Sequence, residues 1–409
     1  MLVAKSIAPP RGTGDPFTLV DLGCGDGVAL ILAAAANPEA RFIGVDAMPG
    51  HVVRGKSIIT DIGLNNIELH CAVFGEAISL ADATADYVSA QGVLAWVSDA
   101  NRDALVDLAA AWLKPGGICT IGYNCYPGWG MMSGFQKLVY AIAATKSGTS
   151  GERFTAAVAD VRASGAIDAD VWDWLDPYFD TLPGNYFAHE YLNGHWLPCW
   201  SGDVITACAA RDLHFAGQVS PARFREDLCY KAAWRDALDK IENIAAREIA
   251  ADLLAQTWFR QDVYVKAPLT ALNAAQAKDA RMQGYWALIE QVTDESEYTA
   301  RTPAGSINFD NAAARAIVEK LAAGPSSLAS IPNLSAADLL NSIDALFIAK
   351  WVVPVDPPCA ANNALAANAR LAKGDISINA VVGAHGVMDV NRGTGDALSQ
   401  DVKIRYGIG

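Results

Sequence analysis

The 409-residue chain is short of positive charge: 31 Lys and Arg face 45 Asp and Glu, a net of −14. The basic residues are scattered, so no patch is expected to bind nucleic-acid phosphates. Although 52% of residues are hydrophobic, no apolar run approaches the length of a membrane span, which argues against insertion in a bilayer. The N-terminus lacks the charged, apolar and small-residue order of a signal peptide. The eight cysteines form no C-x-x-C pair and no metal-ligand spacing with the six histidines, so reduced cytoplasmic thiols and no metal are expected. Charged residues at 19% with a large apolar fraction describe an ordered chain, and its length implies two or three domains.

What is present is a regular alternation of strand and helix over the first 123 residues. An apolar run, Phe17 to Val20, enters the loop Asp21-Leu22-Gly23-Cys24-Gly25-Asp26-Gly27, and an alanine-rich helix, Val28 to Ala36, leaves it. Strand, glycine loop and helix N-terminus in that order make a place where a ligand can lie against main-chain amides. The dinucleotide spacing G-x-G-x-x-G would put its third glycine where Val28 stands. Asp21 and Asp26 would also repel a pyrophosphate, whereas the ammonium and sulfonium of S-adenosylmethionine (SAM) would be attracted. Arg41 to Asp46 reads as a second strand ending in a carboxylate, at the spacing where such folds bind ribose hydroxyls. Asp46 can equally cap the next helix.

A helix is expected from about Gly50 to Ile62, strands at 66–71 and 85–90, a helix at 101–113 ended by Pro115-Gly116-Gly117, and a strand at 117–123. The pattern predicts an α/β, doubly wound, Rossmann-like parallel sheet with its ligand at the C-terminal strand edge. From 130 to 210 the chain reads as a helical insertion rich in aromatics, among them Trp172, Trp174, Tyr178, Phe179, Tyr186 and Trp196. Their exposed look suggests a homodimer surface. Strands at 213–219 and 258–265, separated by a long helical stretch at 221–256, would complete the sheet. The domains expected are therefore 1–129 (SAM-binding, first part), 130–210 (insertion), 211–266 (rest of the sheet) and 267–409. In the last, helices at 312–321, 326–331 and 335–350 with a strand at 351–353 suggest a winged-helix-like module. Its residues 312–356 are net negative, which favours a structural or protein-contact role over DNA.

The loops after the fourth and fifth strands should carry the acceptor chemistry: Gln91 to Val97, and Tyr123-Asn124-Cys125-Tyr126-Pro127-Gly128-Trp129. The second reads either as an aromatic channel, with Asn124 and Tyr126 as hydrogen-bonding groups, or as a packing corner. His189 beside Glu190 is the best acid–base pair of the insertion, or a structural histidine with a surface acid.

Together with His189-Glu190-Tyr191-Leu192-Asn193 and Phe259-Arg260-Gln261, these segments resemble the bacterial class I methyltransferases that carry a methyltransferase regulatory domain. That family includes rickettsial protein-lysine methyltransferases. The resemblance runs from about Phe17 to Val353. It implies a SAM cofactor, leaving as S-adenosylhomocysteine, held by Asp21, Gly23, Cys24, Gly25, Gly27, Asp46 and Ala47, with Val73, Phe74 and Gln91 nearby. It implies an acceptor site bordered by Tyr123, Asn124, Tyr126 and Trp129, with His189 as a catalytic candidate. The chain departs from relatives in having Gln91 for His, Cys125 for Thr and Val73-Phe74 for an acid near the adenine. It is also short of their N-terminal helical segment. A protein lysine is the favoured acceptor; a small molecule, or a SAM-binding scaffold without turnover, are the alternatives.

Overall fold

The computed structural model describes residues 2–10, 15–75, 83–179, 184–289, 297–357, 366–368, 380–383 and 386–389. The side chains of Trp174, Tyr178 and Tyr186, as well as Cys359 and most of the chain after 357, lie outside the described residues. A seven-stranded sheet organises the rest. Its strands are β1 (Thr18–Leu22), β2 (Arg41–Asp46), β3 (Ile67–Cys71), β4 (Ala85–Gln91), β5 (Leu113–Asn124), β6 (Leu213–Gln218) and β7 (Phe259–Lys266). They lie in the order β3-β2-β1-β4-β5-β7-β6. β1 to β5 are parallel, while β7 runs antiparallel to both β5 and β6.

Local signals set the helix ends. α1 (Val28–Ala36) begins directly after Gly27, and its alanines and leucines are buried almost all round. α2 (Pro49–Ile62) opens on proline, whose missing N–H costs nothing at a helix start, and closes on Gly63 in the left-handed region. α3 (Asp99–Trp112) is capped by Ser98, whose side chain accepts from the Asn101 amide at 3.4 Å. α1 and α2 cover one sheet face through Leu30, Ile31, Val52 and Ile58 against Phe42 and Leu69. α3 covers the other through Leu105, Val106 and Ala109 against Val20, Val88 and Ile121.

Between β5 and β6 lie α4 (Ser133–Ala143), α5 (Ser150–Ser164), α6 (Ala169–Phe179), α7 (Gly184–Tyr191) and α8 (Ser201–Ala209). A capping box of Thr149 and Glu152 starts α5. The aromatics of this segment turn inward: Phe135, Phe154, Trp172, Phe187 and Tyr191 are buried in one cluster, with Phe179 and Trp196 packed against it. Among the described side chains of this segment, these rings form its own core.

The helical stretch expected at 221–256 is broken into α9 (Pro221–Phe224), α10 (Glu226–Cys229), α11 (Ala232–Leu238) and α12 (Ile244–Ala255). Beyond β7 come α13 (Ala274–Gln283), β8 (Tyr285–Leu288), the hairpin β9 (Thr299–Thr302) and β10 (Gly305–Asn308), and α14 (Ala312–Ala322). The expected helix at 326–331 is instead a two-residue strand, β11 (Ser326–Ser327), and a 3-10 turn. α15 (Ala336–Ile348) and β12 (Val352–Val355) follow, and β8 pairs with both β11 and β12. This part docks through buried Asp344, which accepts from Arg225 at 2.8 Å and Arg281 at 2.5 Å.

Beneath the end of β5 lies a buried charge network. Arg260 of β7, fully buried, donates to both oxygens of Asp252 at 2.8 Å, to Glu248 at 2.9 Å and to Asp262 at 2.9 Å. Arg223 bonds the same Glu248 and reaches the Tyr230 hydroxyl at 2.7 Å. Burial tends to raise the Glu248 carboxyl, but Arg223 and Arg260 outweigh it and hold it below its ordinary value. Replacing Arg260 with Leu strands three carboxylates in the core and should cost about 3–5 kcal/mol. Urea unfolding followed by far-UV circular dichroism measures the loss.

Candidate functional site

The glycine loop turns between β1 and α1 with Gly23, Gly25 and Gly27 all at positive φ (+80°, +60° and +71°). A side chain at Gly23 would meet Val93 Cγ2 at 2.2 Å, so the loop after β4 lies directly against it. Around Gly25 nothing stands within 4 Å of where a Cβ would be, which leaves open space above the loop. Gly23 and Cys24 both donate backbone N–H groups to the Val45 carbonyl, at 2.7 and 3.0 Å, fixing the loop to the end of β2.

Asp46 does not cap α2, whose N-cap residue Met48 has no side-chain cap bond, but it ties the glycine loop to that residue. One carboxylate oxygen accepts from the Gly25 amide at 2.9 Å; the other accepts from the Met48 amide at 2.9 Å and contacts His51 Nδ1 at 3.1 Å. Asp21 sits at the end of β1, where burial pushes its carboxyl up to about 6, with Ser89 hydrogen bonding against the shift and Asp46 adding to it. An acid so placed is favoured in its ionised form by a cation brought alongside. Cys24 is the opposite case: burial and the neighbouring Asp21 and Asp46 raise its thiol far out of the nucleophilic range.

Of the other residues expected at the donor side, Ala47 is exposed beside Asp46. Val73 follows β3 with 39% exposure, and Phe74 is half-buried against the α3-side core. Gln91 differs from expectation. Its Nε2 donates to the Thr120 carbonyl and hydroxyl at 3.3 and 3.2 Å, and its Oε1 accepts from Gln261 at 3.2 Å. β4 lies between β1 and β5, so the amide reaches toward β5 and β7 and away from the glycine loop.

The aromatic segment after β5 divides in two. Tyr123 is fully buried and donates to Asp262 at 2.6 Å; burial, then Asp262, push its phenol well above its ordinary range. It is part of the charge network, not of an acceptor site, because strand alternation turns residue 123 to the α3 face. Trp129 is likewise buried, ringed by Tyr191, Trp196 and Trp258 at 6.2, 6.0 and 5.9 Å. For these two residues the segment is the packing corner. Asn124 and Tyr126 stay half-buried at the sheet edge, and Tyr126 stacks on Trp200 with ring centroids 5.0 Å apart. His189 is exposed on α7 in a shallow groove with Ser150, Arg153 and Asn193, separate from Asn124 and Tyr126.

Sequence reasoning missed the segment Leu197–Trp200. Leu197 donates to the Ala95 carbonyl at 3.0 Å, Cys199 to Asn124 at 2.9 Å, and Tyr126 back to Cys199 at 3.0 Å. These bonds bind the loops after β4 and β5 into one edge. The signal was Pro198 between an apolar residue and a Cys-Trp pair, which periodicity alone leaves unassigned. Among the described residues, no group of three or more His, Cys, Asp or Glu could hold a metal, and no helix is long and apolar enough to cross a membrane.

The geometry can now be compared with known proteins. Residues 19–117 match the model of a methyltransferase domain, and residues 183–266 match that of a predicted methyltransferase regulatory domain. An uncharacterized protein of Synechocystis, sll1526, is 25% identical over 321 residues, 76% of this chain and 62% of that protein. An uncharacterized Rickettsia prowazekii protein, RP028, is 32% identical over 136 residues, 32% of this chain and 51% of that protein. The chain thus matches less than two thirds of the length of either relative. Among solved structures, PKMT2 from Rickettsia typhi in complex with AdoHcy superposes with a TM-score of 0.68 at 17% identity, covering 94% of this chain and 85% of that one. The likeness extends over nearly the whole described fold. Two segments of the chain thus match a methyltransferase domain and a predicted methyltransferase regulatory domain, within a fold shared with that structure.

Proposed function

We propose that this chain is a SAM-dependent methyltransferase whose acceptor is a protein lysine side chain. The observation that carries the donor half is the glycine loop: open space over Gly25, flanked by two acids, Asp21 and Asp46, at the C-terminal edge of the sheet. Those residues fit SAM. Asp21 would face a cationic group, Asp46 keeps lone pairs for ribose hydroxyls, and the loop amides lie at the start of α1. Bound SAM would supply a methyl group activated as a sulfonium. The chain's own contribution is to hold the donor, to place the acceptor edge of Asn124 and Tyr126 beside it, and to keep water out with the segment Leu197–Trp200. A lysine amine must lose its proton to react, and a partly dry aromatic edge lowers its pKa toward that state. The likeness to PKMT2 and the motif resemblance support the lysine reading. A small-molecule acceptor is the second reading, favoured by a cavity of about 460 Å³ beneath Tyr126.

Incubation with methyl-labelled SAM and a cell lysate, followed by mass spectrometry of the labelled products, tests the acceptor. Methylated lysines on proteins are expected, and label confined to small molecules would sink the lysine reading. For the donor, Gly25→Ala should cost about 1–2 kcal/mol of stability through the left-handed backbone, yet lower SAM affinity by about tenfold or more because its methyl enters the open space. Calorimetric titration of folded protein checks this. Because the Asp21 carboxyl is raised from 3.8 to about 6 on folding, its contribution to stability falls as pH rises through that window and stays unfavourable above it. Asp21→Asn should therefore raise the melting temperature of the ligand-free protein by about 2 °C at pH 8 and by about half as much at pH 5. The same change should weaken SAM binding about tenfold. Equal thermal shifts at both pH values would contradict the assignment.

A further inference from the structure

The cavity of about 460 Å³ lies on the α3 face, between the first turns of α3 and α8, with Tyr126, Trp200 and the segment Leu197–Trp200 forming its wall. It is within the size range of organic ligand sites. Leu94, on its wall, directly follows the Val93 that packs on Gly23, so one residue separates the cavity from the glycine loop.

The lining has a definite charge. Arg102 is engaged by the carbonyls of Leu94 and Leu197 at 2.8 and 2.9 Å, and faces Asp99 at 3.6 Å. Asp103 pairs with Arg211 at 3.1 Å. Asp203, in the first turn of α8, has no side-chain hydrogen bond or ion pair among the described residues. Three carboxylates thus line the cavity with one guanidinium, and a stacked Tyr126–Trp200 pair stands beside them. First-turn acids suit a helix N-terminus on their own account. That leaves unexplained an aromatic cavity opening between two such helices.

We propose that this cavity binds an alkylammonium group: an ammonium carried on an apolar stem, attracted to Asp203, with the stem against Tyr126, Trp200 and Leu94. Aromatic faces and an unpaired carboxylate together select a cation over a neutral group of the same shape. Placing this cation on the acceptor side rests on the methyltransferase reading, in which the carboxylates collect the amine as its cation and the proton leaves only at the drier edge of Asn124 and Tyr126, before transfer; the chemistry of the cavity does not rest on it. The bearer is either a basic side chain of a protein acceptor or a free organic amine.

Saturation-transfer NMR on the full chain, with n-butylammonium chloride and 1-butanol as probes, tests the site. Wild type should give roughly threefold more transfer to butylammonium than to butanol. Asp203→Asn should abolish that preference, and Trp200→Leu should weaken both signals. Circular dichroism checks that each variant is folded. Competition by the tripeptide acetyl-Ala-Lys-Ala-amide, but not by its norleucine counterpart, would assign the cation to a protein side chain. Displacement only by free amines would assign it to a small molecule. Equal transfer to both probes in wild type, or a butylammonium preference unchanged in Asp203→Asn, would overturn the proposal. SAM calorimetry on the same samples separates the two readings: a chain that binds butylammonium but no SAM loses the donor assignment and keeps the cavity.

Discussion

Arg260 is the point on which the two halves of this molecule close. It sits on β7, the antiparallel strand inserted between β5 and β6, and its guanidinium is shared by Glu248 and Asp252 of α12 and by Asp262 of its own strand. Asp262 in turn accepts from Tyr123 of β5, and Asp252 accepts from Ser201 of α8 at 2.5 Å. One buried cation thus holds four elements in register under the edge that carries Asn124 and Tyr126. A lysine could not replace it, because a single ammonium cannot span three carboxylates with a planar fork of donors. Such a network adds little net stability over a well-packed apolar core, but any one partner removed leaves the others uncompensated.

The glycine loop is built differently. There the backbone does most of the work: three left-handed glycines, two amides on the Val45 carbonyl, and Asp46 clamping Gly25 to the start of α2. Only Asp21 is held at some cost, as a carboxylate half-starved of water. The two sides meet through Val93 and Leu94, one touching the glycine loop and the next lining the cavity. The insertion contributes rigidity to the edge, since its aromatic core continues through Trp129 into the end of β5.

How much of this could be read from the sequence follows the range of each interaction. The bounds of α1 and β2 coincide with expectation because glycines, proline and apolar runs act within a few residues. The positions of β6 and β7 were legible for the same reason, but the insertion of β7 antiparallel between β5 and β6, in a sheet expected to be parallel, was not. The roles of Tyr123 and Trp129 were not, since a strand's alternation decides which face they take and the partner of Tyr123 is 139 residues away. Asp46 carried both of its candidate meanings in the sequence, and its bond to the amide of Met48, the residue before α2, is visible only in the fold. The 221–256 stretch breaks at Arg225, at Tyr230-Lys231 and again before Asn243, where tertiary packing and a new cap outweigh helix propensity. The turn at 328–330 is too short to announce itself between Pro325 and Pro332.

The position of β7 also has a consequence in time. During synthesis β5 emerges with one edge unpaired, and the strand that covers it, with Asp262 for Tyr123, follows 139 residues later. At about 5–20 residues per second, that edge waits on the order of ten seconds or more for its partner. The 12-residue β5 is the longest strand in the sheet and carries the buried Tyr123 next to its end. Open edges of that kind invite pairing with other chains. The helical segment made in the interval, already able to bury its own aromatic core, gives the nascent chain something to fold while the edge stays open.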